Sequence, residues 1–189
     1  MSAKDKDGKI QPIRIVAIGD GAVGKTCMLL VFKGDPFPED YEPTIFENFH
    51  EIRTFQGKQY NLHLWDTAGQ EEYDRLRPMS YAKCDVALIC FALDNPDSLK
   101  SVTSQWILEI REYCPKAPVI LIGTKSDLWN PDEEGAITQS QIDDVAKQIN
   151  AFKTINCSAR NNENICDIFD LAIGAYLVGK GGDKNCNIA

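Results

Sequence analysis

The residues most committed to chemistry are Gly19-Asp20-Gly21-Ala22-Val23-Gly24-Lys25-Thr26, a G-x-x-x-x-G-K-[ST] run. Its glycines let a backbone wrap a phosphate closely. The loop N–H groups and the N-terminus of a following helix then face the anion. Lys25 carries the charge that bridges a β- and a γ-phosphate, and the Thr26 hydroxyl is a hard oxygen ligand for Mg²⁺. Gly21, Ala22, Val23, Gly24 and Cys27 complete the predicted nucleotide contacts of this loop. Helix N-terminal N–H groups lower a thiol pKa, which makes Cys27 a redox candidate; a bound phosphate opposes a thiolate there, which favours a small packed residue. Alone, the run specifies only a nucleoside triphosphate, because kinases, transport ATPases and GTPases share it.

A second constellation selects the base. Thr124-Lys125-Ser126-Asp127 follows the apolar run 119–123. A loop at the carboxyl end of a parallel strand faces the ligand crevice. The Asp127 carboxylate can accept two hydrogen bonds from guanine N1–H and N2–H₂. Adenine has an acceptor and a C–H there and would leave a charge unpaired. The Lys125 stem can lie along the base plane, and Cys157-Ser158-Ala159 can offer a backbone N–H to the guanine carbonyl. Phe37 can stack on the base or ribose edge. An ATP-dependent kinase or transporter fails on Asp127 and on the lack of a lid segment.

These loops need strands to hold them. Buried strands are predicted at Ile13-Arg14-Ile15-Val16-Ala17-Ile18, at 86–91, at 119–122 and, more weakly, at 152–157. Residues 49–55 and 59–65 flank Gln56-Gly57-Lys58 as an antiparallel hairpin. Helices are predicted at 25–32, along Leu99, Val102, Trp106, Ile110 and Tyr113, and along Ile142, Val145, Ala146 and Ile149. Thr138 and Gln141 have the spacing of a capping box for the third. A last helix runs from Ile165 to Leu177 and is expected to stop at Gly179. Residues 34–48, with Gly34, Pro36, Pro38 and Pro43, read as loop. The sum is an α/β fold: a mostly parallel six-stranded sheet with one antiparallel edge strand and helices on both faces.

Composition sets the outer bounds. A chain of 189 residues with 43% hydrophobic and 25% charged residues fits one globular domain with a real core. The expected layout is an arm at 1–12, the domain at 13–178 and a tail at 179–189. A net charge of −8 excludes broad contact with phosphate backbones, so no nucleic acid partner is expected. Seven cysteines without a C-x-x-C pair, behind a polar N-terminus, suggest a reducing intracellular compartment.

Taken together, the motifs resemble those of the small GTPases of the Ras superfamily, and most closely the Rho/Rac branch. The resemblance rests on G-D-G-A-V-G-K-T (19–26), F-P-x-x-Y-x-P-T-x-F (37–46), W-D-T-A-G-Q-E (65–71), Y-D-R-L-R-P (73–78), G-T-K-x-D (123–127) and C-S-A (157–159), in family order. Thr124, where most Ras-like proteins carry Asn, is part of the Rho likeness. The resemblance implies a P-loop GTPase fold that cycles between GTP and GDP. It implies that Asp66 holds Mg²⁺ through water and that Thr44 completes the metal shell and bonds the γ-phosphate. It further implies that the Gly69 N–H approaches that phosphate and that Gln70 orients the attacking water. Tyr41 joins the nucleotide contacts. Residues around 37–46 and 69–78 become two switches, ordered by the γ-phosphate and relaxed on hydrolysis.

The same likeness gives the partners. Phe46, Trp65, Tyr73, Arg75 and Leu76 are expected to meet exchange factors, GTPase-activating proteins and GTP-state effectors such as formins or kinases. Arg77 is grouped with Arg75 as a partner contact, and no arginine is expected to act as a finger in cis. Hydrolysis is then slow alone and rises on the order of 10⁵-fold with an activating protein. The expected role is a monomeric regulator of the actin cytoskeleton. A GTP-bound scaffold without hydrolysis is the alternative, which Gly21 and Gln70 oppose. Cys186-Asn187-Ile188-Ala189 fits a prenylation box imperfectly. With a thin basic flank, it implies reversible attachment to the cytoplasmic face of the plasma membrane and a prenyl-binding dissociation inhibitor. The segment 128–137 resembles a truncated version of the charged Rho insert, or an ordinary loop.

Overall fold

A computed structural model describes residues 12–39, 46–73 and 75–181. Six strands form one sheet in the order β2-β3-β1-β4-β5-β6. They are β1 (Pro12–Ile18), β2 (Phe46–Phe55), β3 (Lys58–Thr67), β4 (Val86–Ala92), β5 (Val119–Thr124) and β6 (Lys153–Asn156). Every neighbouring pair is parallel except β2 and β3. The middle strands are apolar throughout because both faces are covered: all of Val86–Ala92 and all of Val119–Thr124 are buried. The hairpin is longer than its alternation suggests, since the pairing runs from Phe46 opposite Thr67 to Phe55 opposite Lys58.

Helices α1 (Lys25–Lys33) and α5 (Ile165–Gly179) cover one face, where Phe32 stacks on Phe169 and Leu29, Leu62, Leu88 and Ile168 are buried. The Arg53 guanidinium makes two 2.8 Å bonds to Asp170, joining β2 to α5. The other face is covered by α2 (Pro96–Ser101), a π-helical turn (Val102–Trp106), α3 (Ile107–Tyr113) and α4 (Gln139–Gln148). The sequence periodicity reads 99–113 as one uniform helix, but the structure widens it at 102–106. Leu99, Val102, Trp106 and Ile110 are buried as expected, whereas Tyr113 closes α3 half exposed, against the ring of Tyr81. α4 carries both bonds of the Thr138–Gln141 capping box. α5 ends with Gly179 as its last helical residue; Lys180 caps it, and Gly181 (φ +82°) turns the chain. Beyond the short 3-10 turn that ends at Leu128, the segment 128–137 contains turns and no helix, tied down by Trp129 Nε1 donating to the Ile137 carbonyl at 2.8 Å. Among the described residues no helix is long and apolar enough to cross a membrane.

Register decides where the loops end up. β1 runs parallel to both β3 and β4, with Ala17 opposite Asp66 and Leu88. The residues that follow β1, β3, β4, β5 and β6 therefore leave the sheet at one edge. Four of the motifs read from sequence, at 19–26, 66–70, 124–127 and 157–159, meet there.

Candidate functional site

At that edge lies a cavity of about 730 Å³, lined by Gly21, Lys25, Thr26, Phe37, Gln70, Lys125 and Asp127 among others. This volume suits a nucleotide-sized ligand. The loop from β1 to α1 forms its floor. Gly24 takes φ +92° just before α1, a left-handed position that favours glycine, and its carbonyl accepts from Met28 N at 3.0 Å. Lys25 is buried, and its Nζ donates to the Gly19 and Asp20 carbonyls at 2.8 and 2.7 Å. Burial pulls its pKa below the ordinary lysine value, with Asp66 the largest opposing influence. An ammonium held among carbonyls in a low-dielectric floor is poised for an anionic ligand. Cys27 shows the opposite of an activated thiol, because burial pushes its pKa up.

Thr26 Oγ1 donates to Asp66 Oδ2 at 2.6 Å, and Asp66 is fully buried at the end of β3. A hydroxyl and a carboxylate thus meet at one point of the cavity floor. Hard oxygen donors of this kind fit Mg²⁺, which keeps several waters and completes its shell with phosphate oxygens. Among the described residues no group of three or more His, Cys, Asp or Glu side chains cages a metal by itself.

One end of the cavity holds Gly69 and Gln70. A Cβ at Gly69 would collide with the backbone of Gly19, Asp20 and Gly21, so only glycine lets this segment lie on the phosphate loop. A Cβ at Gly21 would stand 3.5 Å from Gln70 Cγ. Behind them is a network that the sequence reading missed. Asp20 accepts from Trp106 Nε1 at 2.6 Å and from Ser101 Oγ at 2.9 Å. The Arg77 guanidinium lies 4.7 Å over the Trp106 ring. It donates to the Ala68 carbonyl (3.0 Å), the Gln70 carbonyl (3.3 Å) and Glu109 (2.9 Å). Glu109 also accepts from the Tyr81 hydroxyl at 2.7 Å. Arg77 is 3% exposed, so the expectation that it meets partners is corrected: it is a buried brace between the 68–70 backbone and α3. The sequence signal for it was the side chain of Trp106, whose indole N–H needs a partner when buried.

The other end is built from the β5 and β6 loops. Ser126 N donates to the Cys157 carbonyl (3.0 Å) and Cys157 N to the Gly123 carbonyl (2.8 Å), which locks the two loops together. The buried Ser158 hydroxyl donates to Asp127 Oδ1 at 2.6 Å and accepts from Asn161 N at 3.0 Å. Thr124 is buried, and its hydroxyl donates to the Val23 and Phe91 carbonyls, fastening the phosphate loop to β5. Lys125 sits at φ +58°, which costs a non-glycine residue on the order of 1–3 kcal/mol. Its Nζ reaches Asp94 at 3.3 Å. Ala159 lines the cavity, and so does Arg160, which the sequence reading did not single out; its guanidinium stands 5.9 Å from the Phe37 ring.

The remaining candidates divide. Trp65 is half-buried beneath the guanidinium of Arg14, 3.6 Å from its ring centroid. Tyr73 and Leu76 line a smaller cavity of about 200 Å³ with Met79 and Ser80, and Arg75, Leu76 and Met79 are exposed around it. Tyr41, Thr44, the Phe46 side chain and Cys186 lie outside the described residues. The family model described as the Ras family matches residues 14–177.

Proposed function

This chain belongs to the Ras family of small GTPases, and from that premise we propose that it is a Rho-like switch that hydrolyses GTP and binds effectors in its GTP state. The single observation that carries the base preference is the Asp127 carboxylate, fixed by Ser158 at the far end of a cavity whose other end holds Lys25. A carboxylate oriented this way accepts from a base that presents adjacent N–H donors, as guanine does, and rejects adenine. The preference for the Rho branch rests on W-D-T-A-G-Q (65–70) and on G-T-K-x-D (123–127) with its Thr124. Regulation of the actin cytoskeleton is proposed on that likeness.

The chemistry assigned to the chain's own groups is positioning and charge complementarity. The Lys25 ammonium and the loop N–H groups meet the β- and γ-phosphates of GTP. Thr26, Asp66 and Thr44 would hold Mg²⁺, which would neutralise part of the phosphate charge. The Gln70 amide, able to donate and accept, orients the attacking water toward the γ-phosphorus, and that water's proton leaves with the phosphate. Arg77 does not line the cavity and is bound to carbonyls and Glu109, so the charge that develops on the phosphoryl oxygens lacks a guanidinium from that residue. This supports slow intrinsic turnover and a large stimulation by an activating protein, about 10⁵-fold or roughly 7 kcal/mol. Gly21 and Gln70, both present, favour an active enzyme over a scaffold locked in one state.

The test is phosphate release from GTP and from ATP by the full chain with Mg²⁺, with and without a Rho-type activating domain. The reading expects slow release from GTP, strong stimulation and none from ATP. Equal release from both nucleotides, or none from GTP with the activator, overturns it.

A further inference from the structure

Away from the nucleotide cavity, two cysteines from different elements converge on one carbonyl. Cys84 lies in the turn before β4, and Cys114 caps the end of α3. Cys84 N donates to the Tyr81 carbonyl at 2.9 Å, and Cys114 Sγ donates to the same carbonyl at 3.3 Å. Cys84 Sγ donates to the Val86 carbonyl at 3.2 Å, and the two thiols lie close enough to shift each other's titration. Cys114 is buried, and Cys84 is half-buried beside the exposed Lys83, so the pair opens to solvent on the Cys84 side. Cys90 also has a cysteine neighbour, Cys157, but neither of those two reaches solvent. Cys90 and Cys157 are enclosed in the core, Cys166 is exposed on α5, and Cys27 lies on α1.

We propose that Cys84 and Cys114 form a dithiol modification site, which hydrogen peroxide oxidises to an intrachain disulfide. The neighbouring Cys84 thiol holds the Cys114 thiol below the usual thiol range, whereas Cys114 and burial push Cys84 up. Cys114 is therefore the attacking sulfur. Its thiolate takes one peroxide oxygen, the O–O bond breaks, and the departing hydroxide collects the thiol proton as water. The product is Cys114 sulfenic acid. Cys84 sulfur then attacks that sulfur, the S–O bond breaks, and the hydroxide leaves with the Cys84 proton as a second water. Two electrons pass from the two thiols to one peroxide, and two waters form. A thiol returns the pair to its reduced state by exchange.

The position gives the bond a consequence. Tyr81 is already gripped by α3 through its hydroxyl on Glu109, and Glu109 holds Arg77, which holds the Ala68 and Gln70 carbonyls. A disulfide would fasten the other side of Tyr81 to the same helix covalently. It would tie the base of the 69–78 segment to α3 without touching the nucleotide cavity. Reversible bonds of this type are how reducing compartments record an oxidant.

The inference does not depend on the GTPase reading, because its readout is a covalent mass. The full chain, loaded with GDP and Mg²⁺, is treated with hydrogen peroxide, quenched in denaturant with N-ethylmaleimide and digested without reductant. The expected product is a linked peptide pair joining Cys84 to Cys114, lighter by two hydrogens than the two thiol peptides and absent after dithiothreitol. In Cys84→Ser the link is lost and Cys114 is trapped by dimedone as sulfenic acid. Alkylation of both thiols after peroxide, or a link to any other cysteine or to a second chain, overturns the proposal. Full nucleotide loading of Cys84→Ser verifies that the variant is folded; if it fails to load, the wild-type linked peptide alone decides.

Discussion

The two ends of the nucleotide cavity are held in different ways. The end with Asp127 is bound to the sheet: backbone bonds join the β5 and β6 loops, Ser158 fixes the carboxylate, and Thr124 ties β5 to the phosphate loop. The end with Gln70 is framed differently. Its backbone is braced by side chains, from Asp20 through Trp106 to Arg77 and Glu109, of which Trp106 on the π-helical turn and Glu109 on α3 reach it across long stretches of sequence. Sheet edges are close to rigid, and a brace of side chains has more than one arrangement. The difference suggests a division of labour in which recognition of the base is constant while placement of the water-orienting group is adjustable. An adjustable end is what a switch requires.

That contrast can be broken from the Gln70 end first. Gln70→Leu removes the amide while keeping the volume, so stimulated phosphate release should fall by most of the roughly 10⁵-fold that an activator contributes. GTP and GDP affinity should stay within about threefold, since uniform binding is made elsewhere. Normal stimulated release by this variant would show that the two ends are not separable in this way. The brace comes next. Arg77→Met leaves Glu109 without its guanidinium in a site where Arg77 is 3% exposed, and should cost about 3 kcal/mol of stability. For a domain of this size that is a fall of roughly 6–12 °C in Tm by calorimetry. Hydrolysis should fall with it while base selectivity is unchanged, and a shift in selectivity would contradict the division. The smallest effect belongs to the rigid end. Ser158→Ala removes one bond to a carboxylate and should weaken GTP and GDP alike by about 10-fold in equilibrium binding, with the single-turnover hydrolysis rate unchanged. A change in hydrolysis without a change in affinity would reverse the assignment of the two ends.

How much of this was readable in the sequence follows from the range of the interactions. Local rules carried well. The phosphate loop, the buried strands, the Thr138–Gln141 box and the hairpin each depend on residues a few positions apart, and the structure forms each of them, the hairpin longer than read. The motifs also converge, because parallel strands bring their carboxyl ends to one edge. What escaped depends on distance. The Asp20–Trp106 bond joins residues 86 apart, and nothing local in Gly19-Asp20-Gly21 marks the aspartate as structural. Arg77 sits between residues exposed enough to suggest a surface stretch, and only the fold turns it under Trp106. The π-helical turn at 102–106 was invisible because an apolar stripe stepping by three and four persists through it. Arg160 was passed over because its place at the cavity mouth comes from the turn after β6, not from its motif.

The account stands most directly on Asp127 as the reader of the base. The decisive measurement is competition binding of GTP, ATP and xanthosine triphosphate to the full chain and to Asp127→Asn. The wild-type chain should bind GTP and ignore the other two. In the variant the new amide donates to the C2 carbonyl of xanthine, so GTP affinity should drop by about 100-fold or more and xanthosine triphosphate should become the better ligand. Unchanged preference for GTP in the variant, or equal binding of ATP by the wild type, would contradict it.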